Sequence, residues 1–209
     1  SATVATNHQQ AVGNELPSSE PAQPPPVAFK HDGKNDLIDF HFGWSAEAAR
    51  GPQLVKLFQA EMAREKAGLI KGAEEDKLFR SREKFEFHGH MSSTEYQTAG
   101  QSERVLILRN ERGSYTGGAH GNSDTVVFLW DRTAAQEIAI GDLFAEPANL
   151  SRLLTQRWCD ALNKEREEKR REPLGGEGMF NECPKLDEIA IIPTDKDRNG
   201  KFERLTLVA

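Results

Sequence analysis

The segment Ser114–Trp130, SYTGGAHGNSDTVVFLW, sets Gly117, Gly118 and Gly121 around a single imidazole, His120. Three kinds of chemistry use such residues: a phosphate cradle, proton transfer by the histidine, or a loop that offers contacts to a ligand. A phosphate cradle needs its glycines after a strand and at the opening of a helix, whereas here an apolar, strand-like run follows. A catalytic His120 needs a nucleophile and an orienting carboxylate. Ser114, Ser123, Asp124 and Asp131 are near in sequence, but strand alternation puts them on differing faces, and no GxSxG elbow is present. The glycines therefore read first as a backbone bend, with Tyr115, Gly117, Gly118 and His120 as the residues a ligand would meet. A hydrolase using His120 stands as the alternative.

Two further groups bear on metals. In DKDRNG, Asp195, Asp197 and Asn199 alternate before Gly200, as oxygen donors do in a calcium loop, and Glu203 is a further donor candidate. The twelfth position of the full pattern is Thr206, where a bidentate glutamate is expected, so calcium competes with a plain hairpin turn of Asp, Asn and Gly. His88 and His90 have the i, i+2 spacing of one strand face, without a third ligand at a fixed spacing, and read as a solvent-facing pair. The two cysteines, Cys159 and Cys183, form no CxxC pair, which speaks against structural zinc. They are disulfide candidates if the chain is exported and buried thiols if it is not.

These residues need elements to hold them. LIDFHFGW alternates with period two and predicts a strand broken at Gly43. Pro52 opens a helix whose Leu54, Leu57, Phe58, Met62, Lys66, Leu69 and Ile70 follow helical spacing, with a kink or fraying expected near Gly72. Strands are predicted from FEFHGHM, from Arg104 to Asn110, and at SDTVVFLWD, where five apolar residues in a row point to burial on both faces. A short strand in RTAAQEIAIGDLF precedes a second helix from Asn149 through Leu150, Leu153, Leu154, Trp158 and Leu162. Its charged tail, from Lys164 to Glu172, reads as a solvated end with i, i+4 pairs. EIAIIP and LTLVA supply the last strands. The fold class is α+β: antiparallel sheet packed with two long amphipathic helices.

The chain's 209 residues carry 29% charged and 37% hydrophobic side chains, a net charge of −6 and a pI of about 5.6. An acidic balance disfavours nucleic acid, which calls for a basic surface, and favours a basic protein or a cation. No run approaches the length of a transmembrane segment. Residues 1–27 hold one leucine and no aromatic residue and end in a proline cluster, so they read as an unstructured tether. Such tethers follow the lipid anchor or export signal of envelope proteins, here expected before Ser1. The apolar run that ends at Ala209 predicts a shortened last strand.

YTGGAHG (Tyr115–Gly121), a strand ending in LWD (Leu129–Asp131) and IGDLF (Ile140–Phe144) before a helix together resemble the DUF4163/DUF3298 extracytoplasmic module. That module occurs in a lysozyme-sensing anti-sigma factor, in peptidoglycan deacetylases as a non-catalytic part, and in envelope lipoproteins. The resemblance implies a DUF4163-like part over 28–110 and a DUF3298-like part over 111–209. It further implies a periplasmic or cell-surface location and a binding role without catalysis. The implied partner is an envelope protein, such as a basic lysozyme-like protein, or a peptidoglycan fragment. The membrane helix and sigma-binding part of the signalling members are absent from this sequence, so that activity does not carry over.

Overall fold

A computed structural model describes residues 25–171, 182–195, 197 and 199–208. Six strands form one sheet in sequence order: β1 (Phe29–Lys34), β2 (Ile38–Trp44), β3 (His90–Gln101), β4 (Val105–Tyr115), β5 (Asn122–Asp131) and β6 (Gln136–Ile138). All neighbours are antiparallel except β2 and β3, which run parallel. A parallel pair needs a crossover, and α1 (Pro52–Glu83) supplies it. Helix α2 (Pro147–Arg170) follows β6, and β7 (Ala190–Thr194) and β8 (Arg204–Val208) form a separate antiparallel hairpin. The architecture is α+β, as the alternating patterns require.

Alternation along the central strands builds two cores. Leu106 and Leu108 of β4 and Phe128 and Trp130 of β5 face α1 together with Phe40, Phe42 and Trp44 of β2. Phe58 of α1 stacks on Tyr96 of β3 at a centroid separation of 4.0 Å, and burying such a side chain is worth about 1.5–3 kcal/mol. The opposite face buries Val105, Ile107 and Leu129 against Ala190 and Ile192 of β7.

Several expectations are corrected here. β1 carries alternating polar residues and gave no apolar signal; it forms because its backbone pairs with β2. Gly43 does not end β2 but sits inside it, where a Cβ would stand 3.0 Å from the Phe29 carbonyl oxygen. β3 starts only at His90, and α1 runs through Gly72 to Glu83 without interruption. In β5 burial on both faces holds from Phe128 to Trp130, while Val126 is 37% exposed. Helix α1 supplies the helical residues of the larger core, and among the described residues of α2 none belongs to either core. Asn110 and Glu111 both lie in β4, which pairs with both β3 and β5.

Candidate functional site

The glycine–histidine turn links β4 to β5 and is held from the helix. Gly117 takes a φ of 81°, a conformation open to glycine, while Gly118 does not. Arg80 of α1 donates from Nη2 to the Gly117 carbonyl at 3.2 Å and from Nε to Asp76 at 2.7 Å. His90 Nε2 lies 3.2 Å from the same Asp76 oxygen. Burial pushes the Asp76 carboxyl up, but the hydrogen bonds from Arg80 and His90 outweigh it and hold it below its ordinary value. His90 is therefore a buried member of this network and not half of a solvent-facing pair; His88, just outside β3, is exposed.

His120 itself is exposed, and its Nδ1 contacts the carbonyl of the next residue, Gly121, at 3.2 Å. Of the carboxylates near it in sequence, Asp124 is paired with Arg112, and buried Asp131 binds Arg104 and the N–H groups of Thr133 and Ala134. No described carboxylate orients the His120 ring. Tyr115 ends β4 opposite Met91 and is half-buried.

In the β7–β8 connection the Asp195 carboxylate accepts the N–H groups of Asn199 and Gly200 at 2.9 and 2.8 Å. Asn199 Oδ1 accepts from Lys201, and Asn199 Nδ2 donates to Glu203. These contacts are those of a hairpin turn built on Asp, Asn and Gly. Among the described residues no group of three or more His, Cys, Asp or Glu side chains could hold a metal. Cys159 and Cys183 form a disulfide with Cα atoms 5.5 Å apart. It ties α2 to the segment leading into β7, where Trp158 Nε1 donates to the Pro184 carbonyl at 3.2 Å.

Two of the concave surfaces lie on this part of the sheet. On the sheet face away from α1, a groove of about 450 Å³ runs over a floor of small residues, Gly43, Ser93 and Gly113. His41 stands there between Asp32 (2.6 Å) and Asp39 (2.8 Å); the hydrogen bond to Asp32, with the Asp39 charge added, raises the imidazole above its ordinary value despite partial burial. The lining carries both signs of charge, with Asp32, Glu95 and Glu111 beside Lys30 and Arg112.

The second groove, about 640 Å³, follows β5 and is bounded by the residues that enter β7. Four carboxylates line it, those of Glu111, Asp124, Asp187 and Glu188, against the single guanidinium of Arg112. Sequence reasoning missed Asp187 and Glu188 because they are far from β5 along the chain and meet it only through the hairpin's placement.

No family model matches the chain, and no curated protein matches it. Among solved structures it aligns with a DUF3298 family protein from Pseudomonas aeruginosa PAO1 at 17% identity and a TM-score of 0.34, over 57% of each chain. It also aligns with a DUF3298 family member from Bacteroides fragilis NCTC 9343 at 15% identity and a TM-score of 0.39, over 70% of this chain and 69% of that one. Both carry the family name that the glycine–histidine turn and the DLF step resemble.

Proposed function

We propose that this chain is a non-catalytic binding module of an outward-facing compartment, and that its partner is a basic protein. The observation that carries the reading is the charge of the groove beside β5: of its four carboxylates Asp124 pairs with Arg112 and Glu111 with Arg109, while Asp187 and Glu188 have no ion-pair partner among the described residues. Such a surface attracts a cationic partner, speeds its encounter and rejects an acidic one. The net charge of −6 acts in the same direction. A cell-wall glycan is less well served, because the groove gathers charge that a neutral sugar cannot use. The Cys159–Cys183 disulfide supports an oxidising compartment, where such bonds persist. Among the described residues no helix is long and apolar enough to cross a membrane.

Calorimetric titration against a basic lysozyme and against peptidoglycan fragments, each at low and raised salt, tests the reading. Binding of the basic protein that weakens with salt, and weakens further in the doubly reversed Asp187→Lys, Glu188→Lys chain, is the expected result. Binding of peptidoglycan fragments with silence toward basic proteins would overturn it.

A further inference from the structure

The acidic groove has an unusual lining: Ser123, Asp124, Thr125, Val126 and Val127 all face it in succession. Side chains of consecutive strand residues point to opposite faces of a sheet. A groove lined by five in a row therefore takes in the strand's backbone edge, and Glu111, Ile189 and Ala190 extend it onto the face that the β7–β8 hairpin covers. That edge is open. β5 pairs with β4 from Asn122 to Asp131, but β6 covers it only at Leu129, Trp130 and Asp131. From Asn122 to Phe128 no described residue bonds to its outward N–H and C=O groups.

Exposed edges are ordinarily blunted by charge or proline. The other border of the sheet, β1, carries Lys30, Asp32 and Lys34 along its six residues. The open stretch of β5, NSDTVVF, has a single charged residue and no proline. It is thus the unguarded edge, and it lies in the groove where carboxylates collect. A second copy of this chain would bring its own four carboxylates against these four, which disfavours self-pairing. A cationic segment meets no such cost.

We infer that β5 is a docking edge: an extended, lysine- or arginine-bearing segment of the partner adds to the sheet as a strand beside Asn122–Phe128. Its backbone would bond to the outward groups of β5. Its alternate side chains would lie toward Asp124 and Val126 on one face and toward Glu111, Asp187 and Glu188 on the other. This rests on the reading of a basic partner and specifies how that partner is held.

The test uses the whole chain, isotopically labelled for amide exchange by NMR, and a synthetic octapeptide alternating lysine with valine. The controls are the same peptide N-methylated along one edge, and a peptide with glutamate in place of lysine. The lysine peptide is expected to slow exchange at alternate amides between Asn122 and Phe128. Methylation, or the exposed pair Asp187→Lys and Glu188→Lys in the protein, should weaken binding by about tenfold or more, and the glutamate peptide should not bind. Equal binding of the methylated peptide, or shifts confined to the Lys30–Glu95 groove, would overturn strand addition while leaving the basic-partner reading intact. Failure of both lysine peptide and basic lysozyme to bind would overturn both. Protection of the same amides in the free protein that rises with its concentration would make a second copy the occupant and overturn the inference.

Discussion

Gly100 offers a test of how the hairpin that walls the acidic groove is seated. It follows a bulge, because β3 shifts register between Thr98 and Gly100 against β4. β7 crosses directly over it. A Cβ built on Gly100 would stand 2.9 Å from the Asp195 nitrogen, 3.2 Å from the Pro193 carbonyl oxygen and 3.3 Å from the Thr194 Cα, where ordinary contact begins at 3.4 Å. All three atoms are backbone, so no rotamer change relieves the overlap and β7 itself must retreat. Retreat also loosens Ala190 and Ile192 on Val105, Ile107 and Leu129. Overpacking of this kind costs about 1–3 kcal/mol. The lower entropy of the unfolded alanine chain returns about 0.4–1 kcal/mol. Gly100→Ala should therefore lose about 0.6–2 kcal/mol, which at a urea slope of about 2 kcal/mol/M moves the midpoint down by roughly 0.3–1 M. Gly68 of α1 is the matched control, since a Cβ there meets nothing within 4 Å. Gly68→Ala should gain about 0.5–1 kcal/mol from helix propensity alone. Urea unfolding followed by circular dichroism, with the slope unchanged between variants, reads both. A Gly100→Ala chain as stable as the native one would refute the close approach of β7 to β3.

Burial, opposed by the Thr94 hydrogen bond and aided by the charge of Glu61, raises the Glu65 carboxyl above its ordinary value. A carboxyl raised by folding favours the native state only while protonated, so this contribution is present below the ordinary glutamate range and lost as pH rises. Glu65→Gln should accordingly be more stable than the native chain at neutral pH, with the gain shrinking toward pH 4 in parallel denaturation curves. Arg80→Met removes the link from α1 to the Gly117 carbonyl and to Asp76. Amide exchange at Gly117–Gly121 should speed up, whereas exposed His120→Ala should change stability by less than about 0.5 kcal/mol. Reduction of Cys159–Cys183, separated by 24 residues, should cost about 3 kcal/mol in the chain-entropy account. Because no described residue of α2 belongs to either core, tryptophan fluorescence from Trp158 should report its release before the main sheet unfolds; a single coincident transition would contradict this.

The sequence alone determined the local elements whose periodicity is strong. Ile38, Phe40 and Phe42 alternate because one face of β2 is buried, Pro52 opens α1 where its missing N–H costs nothing, and Gly117 marks a backbone conformation that side chains resist. With two cysteines in the chain, their identity as the candidate pair was also legible. Their meeting was not, because it depends on where α2 ends up relative to β7. The same holds for β1, whose polar residues give no periodic signal and whose strand exists through pairing with β2. Nothing in the sequence marks Gly100, whose close neighbours are the backbone of Pro193, Thr194 and Asp195. His90 read as solvent-facing until Asp76 arrived from one helix away. The acidic groove joins Asp124 to Asp187 and Glu188 across more than half the sheet's chain path, and the open edge of β5 exists only because β6 stops after three residues. Periodicity reports which face of an element is buried, since that preference is written residue by residue. Which elements then face one another is a property of the assembled chain, and here it decides the site.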